Sequence, residues 1–322
     1  MAAAMMILAG CSNDENEITD NWNGEIRLTS GVTAQTRSNT QATQIQEGET
    51  VYVWADKASS TTEYIEAWKL IANGSNGFKD NSTPQYYPTD GSNLDFYALH
   101  GNFAPAFTEE STEFPTTAIV HSVEADQSGT DMKNYAKSDL LYAVKKGVTR
   151  SKDAVELTFY HMLSKVEVVL KSGNGTPGLT GAAVTIVGTK LKANFTPDKT
   201  KDIADVSSGQ SHRAGMITIP EDDNDATPIK IQTVTTTDFN TNSEYGEAVV
   251  LPKQTLNADD SFIQVKLKDN AVFTYKIPAG GLTLESGKKY TYKITVNQTG
   301  LTVTSEIEDW TEVAKEGDAV MD

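Results

Sequence analysis

The fold is decided by the stretch Ile263-Gln264-Val265-Lys266-Leu267-Lys268-Asp269-Asn270-Ala271-Val272-Phe273-Thr274-Tyr275-Lys276-Ile277. Apolar and polar residues alternate on both sides of Asp269-Asn270, and this period of two is typical of β-strands with one buried face. Two polar residues between two such runs predict a tight turn. We therefore expect an antiparallel hairpin that directs four side chains toward the core: Val265, Leu267, Phe273 and Tyr275.

A second hairpin is predicted nearer the C-terminus, where Tyr290–Val296 pairs with Leu301–Ile307 around Asn297–Gly300. Shorter runs rich in β-branched and aromatic residues precede it, separated by connectors rich in Ser, Thr, Asn, Gly and Pro. Such runs, without a regular alternation of strands and helices, are typical of antiparallel sandwiches. The other predicted strands are 25–33, 50–55, 64–72, 94–99, 117–123, 139–144, 157–161, 165–170, 182–187, 191–195, 216–219, 229–235 and 248–251.

We predict an all-β chain with two tandem antiparallel β-sandwich domains, because 322 residues suffice for two cores and the strands fall into two sets. Residues 1–37 are expected to hold the export signal, a tether and the first strand. Residues 38–150 form the predicted N-terminal sandwich and residues 151–322 the C-terminal one. In the first strand, alternation places three apolar side chains on one face: Ile26, Leu28 and Val32.

The N-terminus carries the pattern of a bacterial lipoprotein signal. Leu8-Ala9-Gly10-Cys11 puts two small residues before the one cysteine of the chain, and an acidic run follows (Asp14, Glu15, Glu17). We predict that Cys11 is lipidated, with each buried methylene of the acyl chains contributing about 0.8 kcal/mol to membrane binding. The basic segment expected at the start of a signal peptide is missing, which favours a start further upstream. The alternative is an inert, buried cysteine.

Composition and charge exclude several function classes. The formal net charge of −17 repels nucleic acid and anionic lipid, so we predict no nucleic-acid partner. A single cysteine excludes a disulfide framework and a thiolate metal cluster. No apolar run in the sequence reaches the roughly 18 residues of a membrane-spanning helix. The acyl anchor is therefore the expected membrane contact.

Motifs for cofactors, metals or catalysis are weak. Gly173–Gly178 has the glycine spacing of a dinucleotide loop, but Pro177 and the β-branched run after it predict a loop and a strand where the motif needs a helix. The acidic run 221–225 lacks the spacing of a calcium loop. We predict a protein that is not an enzyme, with no cofactor and no metal. The four histidines lie far apart, without metal-ligand spacing: His100, His121, His161 and His212.

Several distinctive stretches follow one another along the chain. They are Tyr86-Tyr87-Pro88 leading to Leu94–Ala98, then Asp139–Ala143, Leu157–Val166, Tyr290–Val296 with Gly300-Leu301, and Ile307-Glu308-Asp309-Trp310. Together with the lipoprotein signal, this order resembles the fimbrillin family, the lipoprotein subunits of type V pili and related surface proteins. The resemblance spans nearly the whole chain. The sequence departs from the family at Leu99-His100-Gly101, which affects one loop.

The resemblance implies two stacked transthyretin-like sandwiches and a structural fimbrial subunit on the outer membrane that serves adhesion. It also implies that an arginine-specific protease cleaves after Arg37, removes the first strand and opens a groove for a strand of another subunit. The implied partners are other pilus subunits, that protease and the membrane. The C-terminal segment would be the donor strand, although residues 313–322 alternate poorly. A stalk, tip or anchor position stays open.

A second function stays open beside this one: a non-polymerising surface lipoprotein that binds a glycan or a host ligand. Four aromatic residues offer ring faces to a sugar, although packing in the core is the more usual role of such side chains. They are Trp54, Trp68, Tyr86 and Tyr87.

Overall fold

The structure is a computed structural model, and it describes residues 22–32, 44–58, 60, 62–79, 83–107, 113–175, 178–201, 203, 216–220, 227–234 and 243–310. Within these residues the chain is all-β, as predicted, with 21 strands and one short helix. None of the described helices is long and apolar enough to cross a membrane.

The elements occur along the chain in the following order: β1 (Leu28–Val32), β2 (Thr50–Lys57), β3 (Glu63–Ile71), β4 (Leu94–His100), β5 (Phe103–Ala104), β6 (Ile119–Ser122), α1 (Lys133–Ser138), β7 (Leu141–Val148), β8 (Val155–His161), β9 (Ser164–Ser172), β10 (Ala183–Ile186), β11 (Lys192–Phe195), β12 (Ile217–Thr218), β13 (Ile229–Lys230), β14 (Gln232–Val234), β15 (Ser243–Val250), β16 (Thr255–Leu256), β17 (Ser261–Lys266), β18 (Val272–Lys276), β19 (Leu282–Thr283), β20 (Lys288–Asn297) and β21 (Gly300–Asp309).

Both predicted hairpins are present. In the first, Val265 on β17 faces Phe273 on β18 as predicted, but the predicted two-residue turn is wrong. Leu267 N–H donates to Ala271 O at 2.8 Å, so residues 268–270 form the turn, and Asn270 has a left-handed φ of 70°. Asparagine tolerates this conformation because its short side chain hydrogen-bonds locally. In the second, β20 and β21 pair from Lys288–Asp309 to Asn297–Gly300.

The predicted inward faces of the first hairpin are confirmed, but burial differs between its strands. Val265 and Leu267 are buried, whereas Phe273 and Tyr275 are only partly buried and pack at the margin of the core. The reason is position, because β18 is the edge strand of its sheet in the order β13-β10-β17-β18. An edge strand has a neighbour on one side only.

Other predictions fail where the local pattern is too short to be read. The predicted strand 229–235 is two strands, β13 and β14, that lie in different sheets. The two-residue strands β5, β16 and β19 and the six-residue helix α1 were not predicted, because so few residues show no period.

A six-stranded sheet with the order β1-β8-β7-β4-β2-β3 forms the central layer of the molecule. Neighbouring residues on its inner strands are buried on opposite sides: on β2, Val53 belongs to one core and Trp54 to another. A strand buried on both faces reads as a continuous apolar run rather than an alternating one. This explains the uninterrupted runs at Val51–Ala55 and Leu141–Ala143.

The buried apolar residues form two clusters, one on each side of this sheet. The first core contains Val53, Trp68, Phe96, Leu157 and Phe159 among others. The second core lies between the six-stranded sheet and the sheets of the C-terminal half, and it joins Trp54, Tyr142, Phe195, Phe262 and Tyr290. Residues from both halves of the chain therefore pack in one cluster.

Strands from both sides of the predicted boundary at residue 150 share sheets. β8 begins after that boundary but lies in the six-stranded sheet between β1 and β7. β6 comes before it and pairs with β11 of the C-terminal half, from Ile119–Phe195 to Ser122–Lys192. The division at residue 150 stays a prediction.

Candidate functional site at the first strand

The first strand, β1, is attached to the six-stranded sheet through β8. The two strands run parallel, from Leu28 opposite Val155 to Val32 opposite Phe159. Ile26 and Val32 are buried in the first core, and Leu28 is partly buried beside it. The predicted face of this strand is thus the face that packs inward.

The other edge of β1 faces the connection between β3 and β4. Ser30 N–H of β1 donates to Asn76 O at 3.0 Å, and Ile26 N–H, just before β1, donates to Gln85 O at 2.7 Å. The same connection pairs with β3, where Lys79 N–H donates to Ile71 O at 2.8 Å. The connection thus links β1 and β3, the two edge strands of the six-stranded sheet, and we call this region the seam.

A pocket of about 470 Å³ opens at the seam, and we call it the seam pocket. Its walls combine apolar side chains from the first core with charged groups. Lys79 is neutralised by Glu47 at 2.9 Å, which leaves Glu25 and the exposed Arg27 as an acceptor and a donor. The lining residues are Glu25, Ile26, Arg27, Leu28, Trp68, Leu70, Phe78, Lys79 and Pro84.

Two exposed tyrosines lie beside this pocket. Tyr86 forms a β-bridge with Glu25, and directly opposed residues project to the same face. Tyr64 O–H donates a hydrogen bond to the backbone oxygen of Tyr86 at 2.9 Å, which fixes the position of its ring. The exposed fraction is 37 % for Tyr64 and 43 % for Tyr86. We call Tyr64 and Tyr86 the tyrosine pair.

Of the four aromatic residues predicted to offer ring faces, Tyr86 alone is exposed. Trp54, Trp68 and Tyr87 are buried, and Trp54 lies in the middle of the second core. For these three the structure confirms core packing. Tyr64 was not predicted as an exposed aromatic residue, although the alternation along β3 indicates it. Ile65 is buried, so the side chain of the residue before it faces outward.

Several predicted sites lie outside the described residues. These are Cys11, Arg37, His212, the acidic run 221–225 and the C-terminal segment 313–322. The glycine-rich stretch beginning at Gly173 lies between β9 and β10 and is followed by a strand. Among the residues described there, no helix follows the glycine-rich stretch, whereas a dinucleotide motif requires one.

The three described histidines are buried. The Nδ1 atom of His161 lies 2.9 and 3.1 Å from the two carboxylate oxygens of Asp139. Its ring stacks on Trp310 with centroids 4.0 Å apart. The described residues include no group of three His, Cys, Asp or Glu side chains suited to hold a metal ion.

His121 has a strongly shifted pKa. Its Nε2–H donates to Ser138 O at 3.0 Å, and its Nδ1 accepts from Asn102 N–H at 3.2 Å, so the neutral ring satisfies both partners. Burial disfavours the charged ring and lowers the pKa of His121 to about 4. This residue is therefore neutral at physiological pH.

Lys199 links the two halves of the chain. Its ammonium lies 2.9 Å from Asp56 and 3.0 Å from Glu63, on strands β2 and β3. It also lies over the rings of Tyr97 and Phe114 at 4.8 and 4.7 Å. Burial raises the pKa of Asp56, while the Lys199 ammonium acts in the opposite direction.

Comparison with models of protein families shows which family this chain matches. The model of the family described as "Fimbrillin-like" matches residues 36–310. The chain belongs to the fimbrillin-like family. The resemblance found in the sequence is thereby confirmed.

This fimbrillin-like chain is 25 % identical over 319 residues to "Putative fimbrium subunit Fim1C" of Bacteroides uniformis, across 96 % of the chain and 92 % of that relative. Among solved structures, a "putative cell adhesion protein" from Bacteroides ovatus superposes with a TM-score of 0.61 at 17 % identity, over 89 % of this chain and 98 % of the other. One from Bacteroides uniformis gives 0.57 at 19 % identity, over 90 % and 99 %. These similarities show a shared fold.

Proposed function

We propose that this protein is a structural subunit of a surface fimbria, exported as a lipoprotein and assembled by proteolysis-triggered strand exchange, and that it serves adhesion. Membership of the fimbrillin-like family and the naming of a relative as a fimbrium subunit support the structural role. The observation that carries the assembly mechanism is the position of β1 at the edge of the six-stranded sheet.

The energy of removing β1 supports strand exchange. Fully burying one aliphatic side chain contributes about 1.5 to 3 kcal/mol, so losing Ile26 and Val32 costs about 3 to 6 kcal/mol before Leu28 is counted. Domains are stable by only about 5 to 15 kcal/mol. Removal would also uncover the edge of β8. A strand from another subunit would restore both, as in donor-strand complementation.

An arginine-specific protease is the proposed trigger, and Arg37 is its proposed site. Arg37 follows β1 by five positions, so cleavage there would separate the whole strand from the body of the protein. Arg27 has an exposed side chain, but its backbone oxygen accepts a hydrogen bond from Val155 N–H at 2.8 Å. A protease must extend its substrate, and this pairing opposes extension at Arg27.

The lipid anchor places the subunit on the outer membrane. Cys11 precedes the first described residue, Trp22, by a short polar segment that would serve as the tether. The acidic side chains behind Cys11 fit display on the cell surface in this proposal. Other pilus subunits are the proposed partners.

We also propose two transthyretin-like sandwiches with the predicted division near residue 150, and the chain passes from the sheet of one to the sheet of the other after β8. β8 ends at His161 in the six-stranded sheet, and β9 begins at Ser164 in the five-stranded sheet β14-β15-β9-β20-β21. Met162 and Leu163 are the connection, and both are buried in the second core. The two sandwiches would then share that core.

N-terminal sequencing of subunits from sheared fibres tests the assembly mechanism. We expect Ser38 as the first residue, and an Arg37→Lys variant should remain uncleaved and unassembled. Arg27→Lys is the matched control and should assemble normally. Fibres made of chains that still carry residues 11–37 would refute the mechanism.

An SDS gel of unboiled surface material separates this proposal from a non-polymerising surface lipoprotein. A ladder of multimers is expected from the fimbrial subunit. A single monomer band would favour a surface protein that acts alone.

A further inference from the structure

The seam pocket has the dimensions of a small-molecule site. Its volume of about 470 Å³ falls within the roughly 300 to 1,000 Å³ that ligand pockets occupy. Trp68 and Leu70 come from β3, Leu28 comes from β1, and Ile26 comes from the segment just before β1. The connection after β3 supplies the remaining apolar wall through Phe78 and Pro84.

The charges at its mouth fit an uncharged, hydroxyl-rich ligand. Glu25 offers carboxylate oxygens as acceptors, and Arg27 offers guanidinium donors. The remaining cation, Lys79, is already paired with Glu47. The local charge is therefore balanced, and the net charge of −17 disfavours an anionic ligand.

The tyrosine pair adds flat apolar surface next to these polar groups. The large hydrophobic side chains exposed in the described part of the chain are Tyr64, Tyr86, Val272 and Ile307. The hydroxyl of Tyr64 contacts the backbone oxygen of Tyr86. Tyrosine gives a large contact area at a low entropy cost, since its ring has few rotatable bonds. The hydrogen bond from Tyr64 to the backbone of Tyr86 restrains the pair further.

We propose that the seam pocket and the tyrosine pair form a binding site for a neutral oligosaccharide. A hexose has one face of C–H groups and a rim of hydroxyls. The C–H face matches the ring of Tyr86 and the face of the Tyr64 ring opposite Lys57, whose ammonium lies 5.5 Å from the centre of that ring. The hydroxyls match Glu25 and Arg27. Such a ligand needs apolar and hydrogen-bonding groups side by side, which this part of the surface provides.

The site does not depend on polymerisation, but it depends on β1. Glu25, Ile26, Arg27 and Leu28 all precede Arg37, so the proposed cleavage would remove one wall of the pocket. The saccharide site is therefore complete in the uncleaved chain. A test on that chain is independent of whether strand exchange takes place.

The experiment probes purified, uncleaved protein with a printed array of neutral and sialylated oligosaccharides. We expect retention of neutral glycans, with a Kd of about 1 mM or tighter when a retained glycan is titrated. Tyr86→Ala should weaken binding at least about tenfold, and Tyr86→Phe, which keeps the ring, should restore it. Both substitutions are at an exposed position, so folding is retained.

Val272→Ala is the matched control, because Val272 is also an exposed apolar residue but lies on β18, away from the seam. It should bind like the unmodified protein. The proposal is overturned by an array without any retained glycan, by retention of sialylated glycans alone, or by binding that Tyr86→Ala leaves unchanged.

Discussion

At the scale of single residues, His121 makes stability depend on pH. Its pKa is lowered by burial to about 4 in the folded protein, from about 6.5 in an unfolded chain. Between these values the unfolded state binds more protons, so stability falls as the pH drops from 6.5 toward 4. Over that window the expected loss from this residue is about 3 kcal/mol.

Denaturant unfolding at several pH values measures this effect. His121→Gln stays neutral throughout, so its stability should change less between pH 6.5 and 4 than that of the unmodified protein. Equal slopes for the two proteins would show that folding does not lower the pKa of His121.

Lys199 is the residue-scale link between the halves of the chain. Lys199→Met leaves Asp56 and Glu63 facing each other without their cation, and hydrogen bonds to charged groups are worth about 1.5 to 3 kcal/mol. We expect a loss of that order, reduced by the partial exposure of the lysine. Lys201, two positions further and exposed, is the control, and Lys201→Met should change stability by less than about 0.5 kcal/mol. Similar losses in both variants would contradict the link.

At the scale of elements, the two strands of the hairpin β17–β18 show the same alternation in sequence but differ in how deeply their inward side chains are buried. Phe262 is fully buried against Tyr292, with ring centroids 5.5 Å apart, and Phe262→Ala should cost about 3 to 5 kcal/mol. Phe273 has the predicted orientation but lies on the edge strand, so Phe273→Ala should cost only about 1 to 2 kcal/mol.

Urea unfolding of both variants measures the difference. A larger loss for Phe273→Ala than for Phe262→Ala would mean that β18 is covered by another chain or segment in solution. The comparison is matched, since the same residue type is truncated in one hairpin.

At the scale of the whole molecule, the second core predicts cooperative unfolding. The six-stranded sheet contributes Val53 and Phe159 to the first core and Trp54 and Tyr142 to the second, so neither core can open without disturbing that sheet. Calorimetry should therefore show one transition. Phe159→Ala and Phe195→Ala, one in each core, should both lower the temperature of this transition. Two resolved transitions, each sensitive to one variant, would indicate independent domains.

The sequence alone determined most of the longer strands and the two hairpins, because alternation along a strand records directly which side is buried. The order of its motifs indicated the family. In Ile263–Ile277 partner strands are adjacent in the chain, so the local pattern also defines their pairing. The same pattern gave the inward face of β1, with Ile26 and Val32 buried as predicted.

Only the tertiary structure decided what lies beside each strand. The pairing of β1 with β8 and the hydrogen bonds between β1 and the connection after β3 join segments that are distant in the chain. The edge position of β18 likewise depends on the order of strands in its sheet. No local pattern specifies them, because a strand with one apolar face fits many neighbours. The seam pocket and the tyrosine pair follow from that long-range pairing, which is why Tyr64 and Arg27 acquire a candidate function only in the folded chain.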